Sequence, residues 1–305
     1  MTNFTGIINI LLKIFPTEQA CIDYFEENRW KGKPISPFDP ASQVYKCANN
    51  RYRCKNTGKY FSVRTRTVFA NSKLPLQKSF LAFYLLSSRK KGISSHQLAR
   101  DISITQKSAW FLLNRLRKAF NHPNFQIMLK NIVEIDETFI GGKNKNRHQN
   151  KKVPNSQGRS WADKTPVLGL LERSGNLITQ VISNTKQRML EPIIKANIEK
   201  GSAVYTDEWY RHSNLSHNFN HRIVNHSAKQ YVKGTVSTNS IENCWSHLKR
   251  MIIGTYHLIS RKHAQKYLDE FTLRNNTRQY NDRERFDLVL SSTVGKNLTY
   301  RQLIN

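Results

Sequence analysis

Val133-Glu-Ile-Asp-Glu-Thr-Phe-Ile140 is the stretch on which the fold turns. Val133 and Ile135 alternate with Glu134 and Asp136, the period-2 pattern of a strand with one apolar side. An acid inside a strand this apolar calls for an explanation, because unpaired carboxylates are seldom buried. Downstream the pattern predicts strands over 167–172, 177–183 and Ala203–Asp207. Ser174-Gly175-Asn176 supplies the hairpin turn, and a crossover helix is expected over about 188–200. Strand, hairpin, helix and strand in this order define a mixed α/β domain. The basic stretch Lys143–Lys164, with little apolar content, reads as a mobile loop. Asp207 closes its strand where a loop begins, and carboxylates at adjoining strand positions can share a divalent cation. Asp136 as a surface residue of an edge strand, and Asp207 as the start of a turn, are the plainer alternatives.

A third acid follows in Thr238-Asn-Ser-Ile-Glu-Asn-Cys-Trp-Ser-His-Leu-Lys-Arg250. Ile241, Trp245, Leu248 and Ile252 mark one helical face, and Glu242, Ser246 and Lys249 another. Glu242 can point toward the strand acids, with Lys249 two turns on for a phosphate. The rival is a capping box in which Asn239 caps the helix and Glu242 reaches back to it. Three acids in an otherwise basic chain suit phosphodiester chemistry, where two Mg²⁺ ions about 3.5–4 Å apart activate water and neutralise developing charge. Such hard cations take oxygen ligands, and without metal the carboxylates repel one another. His212, His217, His221 and His226 lack tight metal-ligand spacing.

The charge balance points the same way. The 305 residues include 49 Lys and Arg against 21 acids, a net charge of +28 spread over most of the chain. A polyanion such as DNA fits; an acidic small molecule does not. Cysteines at 21, 47, 54 and 244 show no paired spacing, which suits a reducing cytosol. The apolar stretch Ile7–Phe15 has no basic flank before it and is interrupted by Lys13, so neither a signal peptide nor a membrane span is expected.

Upstream, residues 1–30 read as two helices broken at Pro16, and residues 31–69 as a small β-rich module with strands over Val44–Lys46, Arg51–Cys54 and Tyr60–Val63. A helix is expected over 76–86. Between Gly92 and Arg117 the rhythm is that of a helix-turn-helix: Ser94 caps one helix, Thr105 the next, and Ala109, Leu112, Leu113 and Leu116 form an apolar stripe. In such a unit Gln106, Lys107 and Asn114 face the major groove, and Arg115, Arg117 and Lys118 suit phosphates. A helical hairpin packed on another element is the alternative.

These motifs resemble those of bacterial insertion-sequence transposases with a DDE-type domain, the insertion sequence 1595 or ISXO-like family. The resemblance spans residues 15–280. It rests on Glu134-Ile-Asp-Glu-Thr-Phe-Ile-Gly-Gly-Lys143, Tyr205-Thr-Asp-Glu208, Asn225-His-Ser-Ala228, Tyr231-Val-Lys-Gly234, Thr238–Glu242 with Trp245, Lys249 and Arg250, Gly254-Thr-Tyr-His257, and Tyr267-Leu-Asp-Glu-Phe271. It implies an RNase H-like catalytic domain that cuts at transposon ends and joins the freed 3′-hydroxyl to target DNA. Asp136, Asp207 and Glu242 stand at the family's acid positions as Mg²⁺ (or Mn²⁺) ligands, Lys249 is the downstream base, and Asn239 is an alternative or accessory third residue. The implied partners are double-stranded DNA, both terminal inverted repeats and target, with a homodimer or larger assembly on DNA and no membrane, in the bacterial cytoplasm with the nucleoid. The implied organisation is N-terminal helices with a ribbon-like module over 1–72, the helix-turn-helix over 73–125, the catalytic domain over 130–280 and a C-terminal extension over 281–305.

Relatives carry a zinc ribbon with two Cys-x-x-Cys pairs. Here Ser36 and Asp39, then Cys54 and Thr57, stand at those positions, so a ribbon-like module without zinc is expected. Arg66 stands where relatives often have glycine. An RNase H-like nuclease that never joins strands, and a domesticated DNA-binding regulator, are the functional alternatives. The three intact acids argue against the regulator.

Overall fold

The computed structural model of the chain describes residues 13–121, 127–142, 144–154, 156, 160, 162–207, 214–224 and 236–305. The segments 225–228 and 231–234, Glu208, His212, His226 and most of the expected first helix lie outside the described residues. Two compact units emerge, one drawn from residues 1–122 and 280–305, the other from 123–279.

In the first unit Thr17 caps α1 (Glu18–Trp30), its side chain accepting from the Ala20 N–H. A small antiparallel sheet follows, β1 (Val44–Cys47), β2 (Arg51–Cys54) and β3 (Tyr60–Phe61). Tyr52 and Phe61 stack on its inner side and meet Trp30 edge-on, so aromatic area closes that side. Helices α2 (Leu76–Ser88), α3 (Ser95–Asp101) and α4 (Gln106–Phe120) complete the N-terminal part. Ser94 and Thr105 cap α3 and α4 through bonds from Gln97 N and Ser108 N. Arg66 has φ 57°, the left-handed region that glycine enters without penalty. Its side chain offsets the strain by donating to the Pro37 carbonyl and lying 5.4 Å over the Phe38 ring.

The second unit is mixed α/β. Its sheet has the order β6-β5-β4-β7-β8. Central β4 (Ile132–Ile140) runs antiparallel to β5 (Thr165–Glu172), which forms a hairpin with β6 (Leu177–Val181). On its other side β4 runs parallel to β7 (Ala203–Asp207), itself parallel to the edge strand β8 (Asn220–Val224). Period-2 alternation sorts the core into two layers. Val133, Ile135, Leu168, Leu170 and Val204 pack on one side with Leu190 and Ile194 of α5 (Gln187–Asn197). Val167 and Leu171 pack on the other with Ile241, Trp245 and Leu248 of α6 (Asn239–Met251) and Leu268 and Phe271 of α7 (Ala264–Asn276). Two motif segments meet beside that second layer, where Tyr256 donates its hydroxyl to buried Glu270, which also pairs with Arg274. The stretch read as a mobile loop is partly tied down: Asn144 exchanges two hydrogen bonds with the Val153 backbone, and Arg147 bonds the Asp163 carbonyl.

The C-terminal residues, read as an extension, pack into the first unit. Phe286 of α8 (Asp282–Ser291) lies within 6.0 Å, ring to ring, of Phe15, Phe80 and Phe83, so this helix supplies the middle of an aromatic core. Tyr300 of α9 (Tyr300–Ile304) meets Phe111 of α4 at 5.4 Å.

Candidate active site

The side of β4 that faces α6 carries the acids. Parallel pairing of Ile132 with Ala203, Val133 with Val204 and Glu134 with Tyr205, continued two residues, sets Asp136 level with Asp207 on adjacent strands. Trp245 reaches across from α6, and its indole N–H donates to Asp136 Oδ2 at 2.9 Å. Glu242 lies one helical turn before Trp245, exposed in the first turn of α6 and near enough for its charge to act on Asp136. Asp136 is thereby pushed from 3.8 up to about 6: burial raises it most, the charges of Asp207 and Glu242 add, and hydrogen bonds from the Glu137 backbone and Trp245 partly offset them. Gly169, the cross-strand partner of Asp136 on β5, makes the approach of Trp245 possible. A Cβ there would fall inside van der Waals contact of the indole and 3.0 Å from Ile241 Cδ1.

Glu134, which sequence reasoning left without a role, anchors α6. Its carboxylate is fully buried; Oε2 accepts from the Ser240 and Ile241 N–H groups at 3.0 Å each, and Oε1 pairs with Arg173 Nε at 2.8 Å. Arg173 also donates to the Ser237 side chain and carbonyl and lies 5.0 Å over the Tyr205 ring. The orphan donors of a helix N-terminus thus meet a carboxylate from the strand that carries Asp136, which suits the helix dipole. The two-residue offset between Glu134 and Asp136 was a visible signal, since both face the same side.

The capping box weighed for Glu242 does not form. Thr238, not Asn239, is the N-cap, without a side-chain cap bond, and its hydroxyl donates to Glu242 Oε1 at 3.2 Å. Asn239 is the exposed first residue of α6, and Lys249, also exposed, stands two turns beyond Glu242. Among the described residues no three His, Cys, Asp or Glu side chains already close into a metal cage. His221 turns aside to Thr206, with Nε2 2.8 Å from Oγ1, and burial lowers its pKa.

In the first unit only part of the expected DNA-reading set lies at the surface. Gln106 and Lys107 are exposed in the first turn of α4, with Lys107 5.3 Å over the Tyr300 ring. Asn114, Arg115 and Arg117 are corrections: they are 0%, 4% and 1% exposed and face inward. Asn114 bonds the Trp110 carbonyl, and Arg115 bonds the Ala70 carbonyl, burial pulling its pKa down to about 10. α8 and α9 pack against the unit, so a helix that reads as one-sided is covered over most of its length. Lys118 is held at the Asn297 carbonyl at 2.6 Å. At the ribbon positions Ser36, Ser42 and Thr57 gather around buried Cys54; burial raises the thiol's pKa, but their hydrogen bonds prevail and bring it to about 6.

The model of the ISXO2-like transposase domain matches residues 128–276, nearly all of the second unit. By class, then, the second unit is a transposase domain. The uncharacterized protein of transposable element ISH50 from Halobacterium salinarum is 25% identical over 296 residues, covering 93% of this chain and 99% of that one. An uncharacterized transposase-like protein from Haemophilus influenzae is 32% identical over 99 residues, 32% of this chain and 79% of that one. Among solved structures, the Mos1 strand transfer complex covers 69% of this chain and 73% of its own at 13% identity, with a TM-score of 0.27, too low to equate the folds. The chain belongs to the ISXO2-like, insertion sequence 1595 family of transposases. Among the described residues no helix is long and apolar enough to cross a membrane.

Proposed function

We propose that the protein is a DDE-type DNA transposase, which nicks transposon ends and joins the 3′-hydroxyl to target DNA at Asp136, Asp207 and Glu242 in an RNase H-like second unit. The observation that carries this is the crowding of Asp136: a partly buried carboxylate on the central strand, its pKa raised to about 6 by desolvation and further by the charges of Asp207 and Glu242, is an arrangement that a structural role does not explain. The donor set is oxygen only and its charges repel, which fits a hard divalent cation, Mg²⁺ or Mn²⁺. Such an ion, when bound, supplies an activated oxygen nucleophile and neutralises charge on phosphate and leaving oxygen. The chain's own part is to hold and aim the ligands: Trp245 fixes Asp136, and Glu134 with Arg173 fixes the start of α6 and hence Glu242. Lys249, in the last turn of α6, suits a phosphate, and Asn239 is an alternative or accessory at the start of the same helix beside Glu242. Ribbon-like and helix-turn-helix modules in the first unit contact DNA, with Gln106 and Lys107 at the turn of α4 left accessible for a groove. Purified protein with Mg²⁺ should nick its element's terminal repeat and insert that end into plasmid, and Asp136→Asn should stop both. Nicking without joining would identify a nuclease instead, and undiminished activity in Asp136→Asn would refute the site.

A further inference from the structure

The outer side of the β1–β2–β3 sheet, the ribbon-like module assigned above to DNA, has an organisation that bears on which form of DNA it takes. Cross-strand pairing sets Tyr45 opposite Arg53 and Arg53 opposite Tyr60, so one row across the sheet reads Tyr, Arg, Tyr. Both tyrosines are half exposed, at 50% and 51%. They stand two strand spacings apart, about 10 Å. The guanidinium groups of Arg51 and Arg53 lie 5.1 and 5.8 Å from the Tyr60 ring. A second ring, Phe38, is flanked in the same way by Lys59 and Arg66, both at 5.4 Å. Arg66 holds its place from a left-handed backbone conformation, strain that tends to be kept where a side chain has work to do. Between Asp39 and Asp101 the chain contains no acidic residue at all. Beside Tyr60 opens a hollow of about 360 Å³, where Asn49 and Arg51 can bond base edges while Asn50 is paired with Gln19 and Arg64 with the Leu74 carbonyl.

Exposed tyrosine rings with guanidiniums at their faces, on strands that carry no acid of their own, are the chemistry that takes up unpaired bases: the rings stack on base faces and the cations track the phosphates. Duplex interiors do not offer those faces. We propose that this sheet surface binds single-stranded DNA, as at an opened or frayed end, separately from any duplex contact made by α4. The inference rests on DNA being the protein's substrate, but not on the catalytic assignment.

The test is binding of the full chain to a labelled oligothymidine and to a blunt duplex of equal length. Tyr45→Leu/Tyr60→Leu should weaken oligothymidine binding by about tenfold or more, from the usual worth of a stacked base. Duplex binding should stay within about twofold. Tyr45→Phe/Tyr60→Phe, which keeps the rings, should bind as wild type, and this pair also reports on folding. Arg51→Gln/Arg53→Gln should weaken oligothymidine binding and flatten its salt dependence. Unchanged oligothymidine binding in the leucine pair, or equal losses on both probes, would overturn the proposal while leaving the catalytic reading intact. Failure of the wild type to bind either probe would overturn both.

Discussion

Two acids on one side of β4, two residues apart, have opposite surroundings. Around Glu134 every oxygen has a partner of opposite or complementary charge: Arg173 on one, two helix N–H groups on the other. Around Asp136 the neighbours include two further carboxylates, and the Glu137 backbone N–H and the Trp245 indole N–H offset them and the burial only in part. On one strand and one face, fully buried Glu134 is an anchor and partly buried Asp136 a strained acid, because the helix N-terminus lies over the first while desolvation and two further carboxylate charges bear on the second. The comparison teaches that burial of a carboxylate is not itself a sign of chemistry; what it is buried against decides.

The largest effect should come from Asp136→Asn. Removing one ligand oxygen charge should lower nicking by about 10³-fold or more, if the ion supplies several kcal/mol to the transition state. A single-turnover assay on the terminal repeat checks this. Next is Glu134→Ala, which strands the Arg173 charge and uncaps α6. Urea unfolding should show a loss of about 3–5 kcal/mol, with Glu134→Gln losing less because it still accepts from the helix. If Glu134→Ala left stability unchanged but abolished nicking, the division of labour between the two acids would be wrong. Gly169→Ala follows, at about 1–3 kcal/mol of overpacking, accompanied by loss of nicking as Trp245 is displaced. Trp245→Phe removes the indole atoms that the new methyl meets, so the double variant should be less destabilised than the sum of the singles, a coupling that a double-mutant cycle reads directly.

The smallest effect sharpens the contrast through pH. In protein freed of divalent ions, Asp136 has a folded pKa near 6 against 3.8 unfolded, so the folded form takes up its proton first. Its ionisation therefore opposes folding above about pH 6, and the penalty fades as pH falls from 6 toward 4. Asp136→Asn should raise the unfolding free energy at pH 7.5 and lose that advantage by pH 4, as parallel melts at the two pH values will report. Equal melts at pH 7.5 would mean that neither burial nor the neighbouring carboxylates hold Asp136 above its ordinary range.

Much of the sheet was legible because alternation is local: Val133 and Ile135 against Glu134 and Asp136 fix which side faces which layer, and Ser94 and Thr105 announce helix starts by their own side chains. β8 was not, since Asn220, His221 and Arg222 are polar and an edge strand needs burial on few positions. Asn114, Arg115 and Arg117 were read as outward because α4 shows one apolar stripe; its other side meets distant parts of the chain, Ala70 at Arg115 and Tyr300 at Phe111, which periodicity within α4 cannot reveal. The glycine-like position of Arg66 was visible only as an oddity until its backbone angle was known.

Sequence alone determined the mixed α/β pattern, the basic character and the three acids as residue types at motif positions, because each depends on neighbours within a few residues or on composition. Tertiary structure decided which acid is an anchor and which is crowded, that Gly169 must stay open for Trp245, and that the C-terminal helices belong to the first unit. Those outcomes depend on atoms brought together from distant parts of the chain, and a carboxylate's behaviour is set by the charges and donors packed against it rather than by the letters beside it.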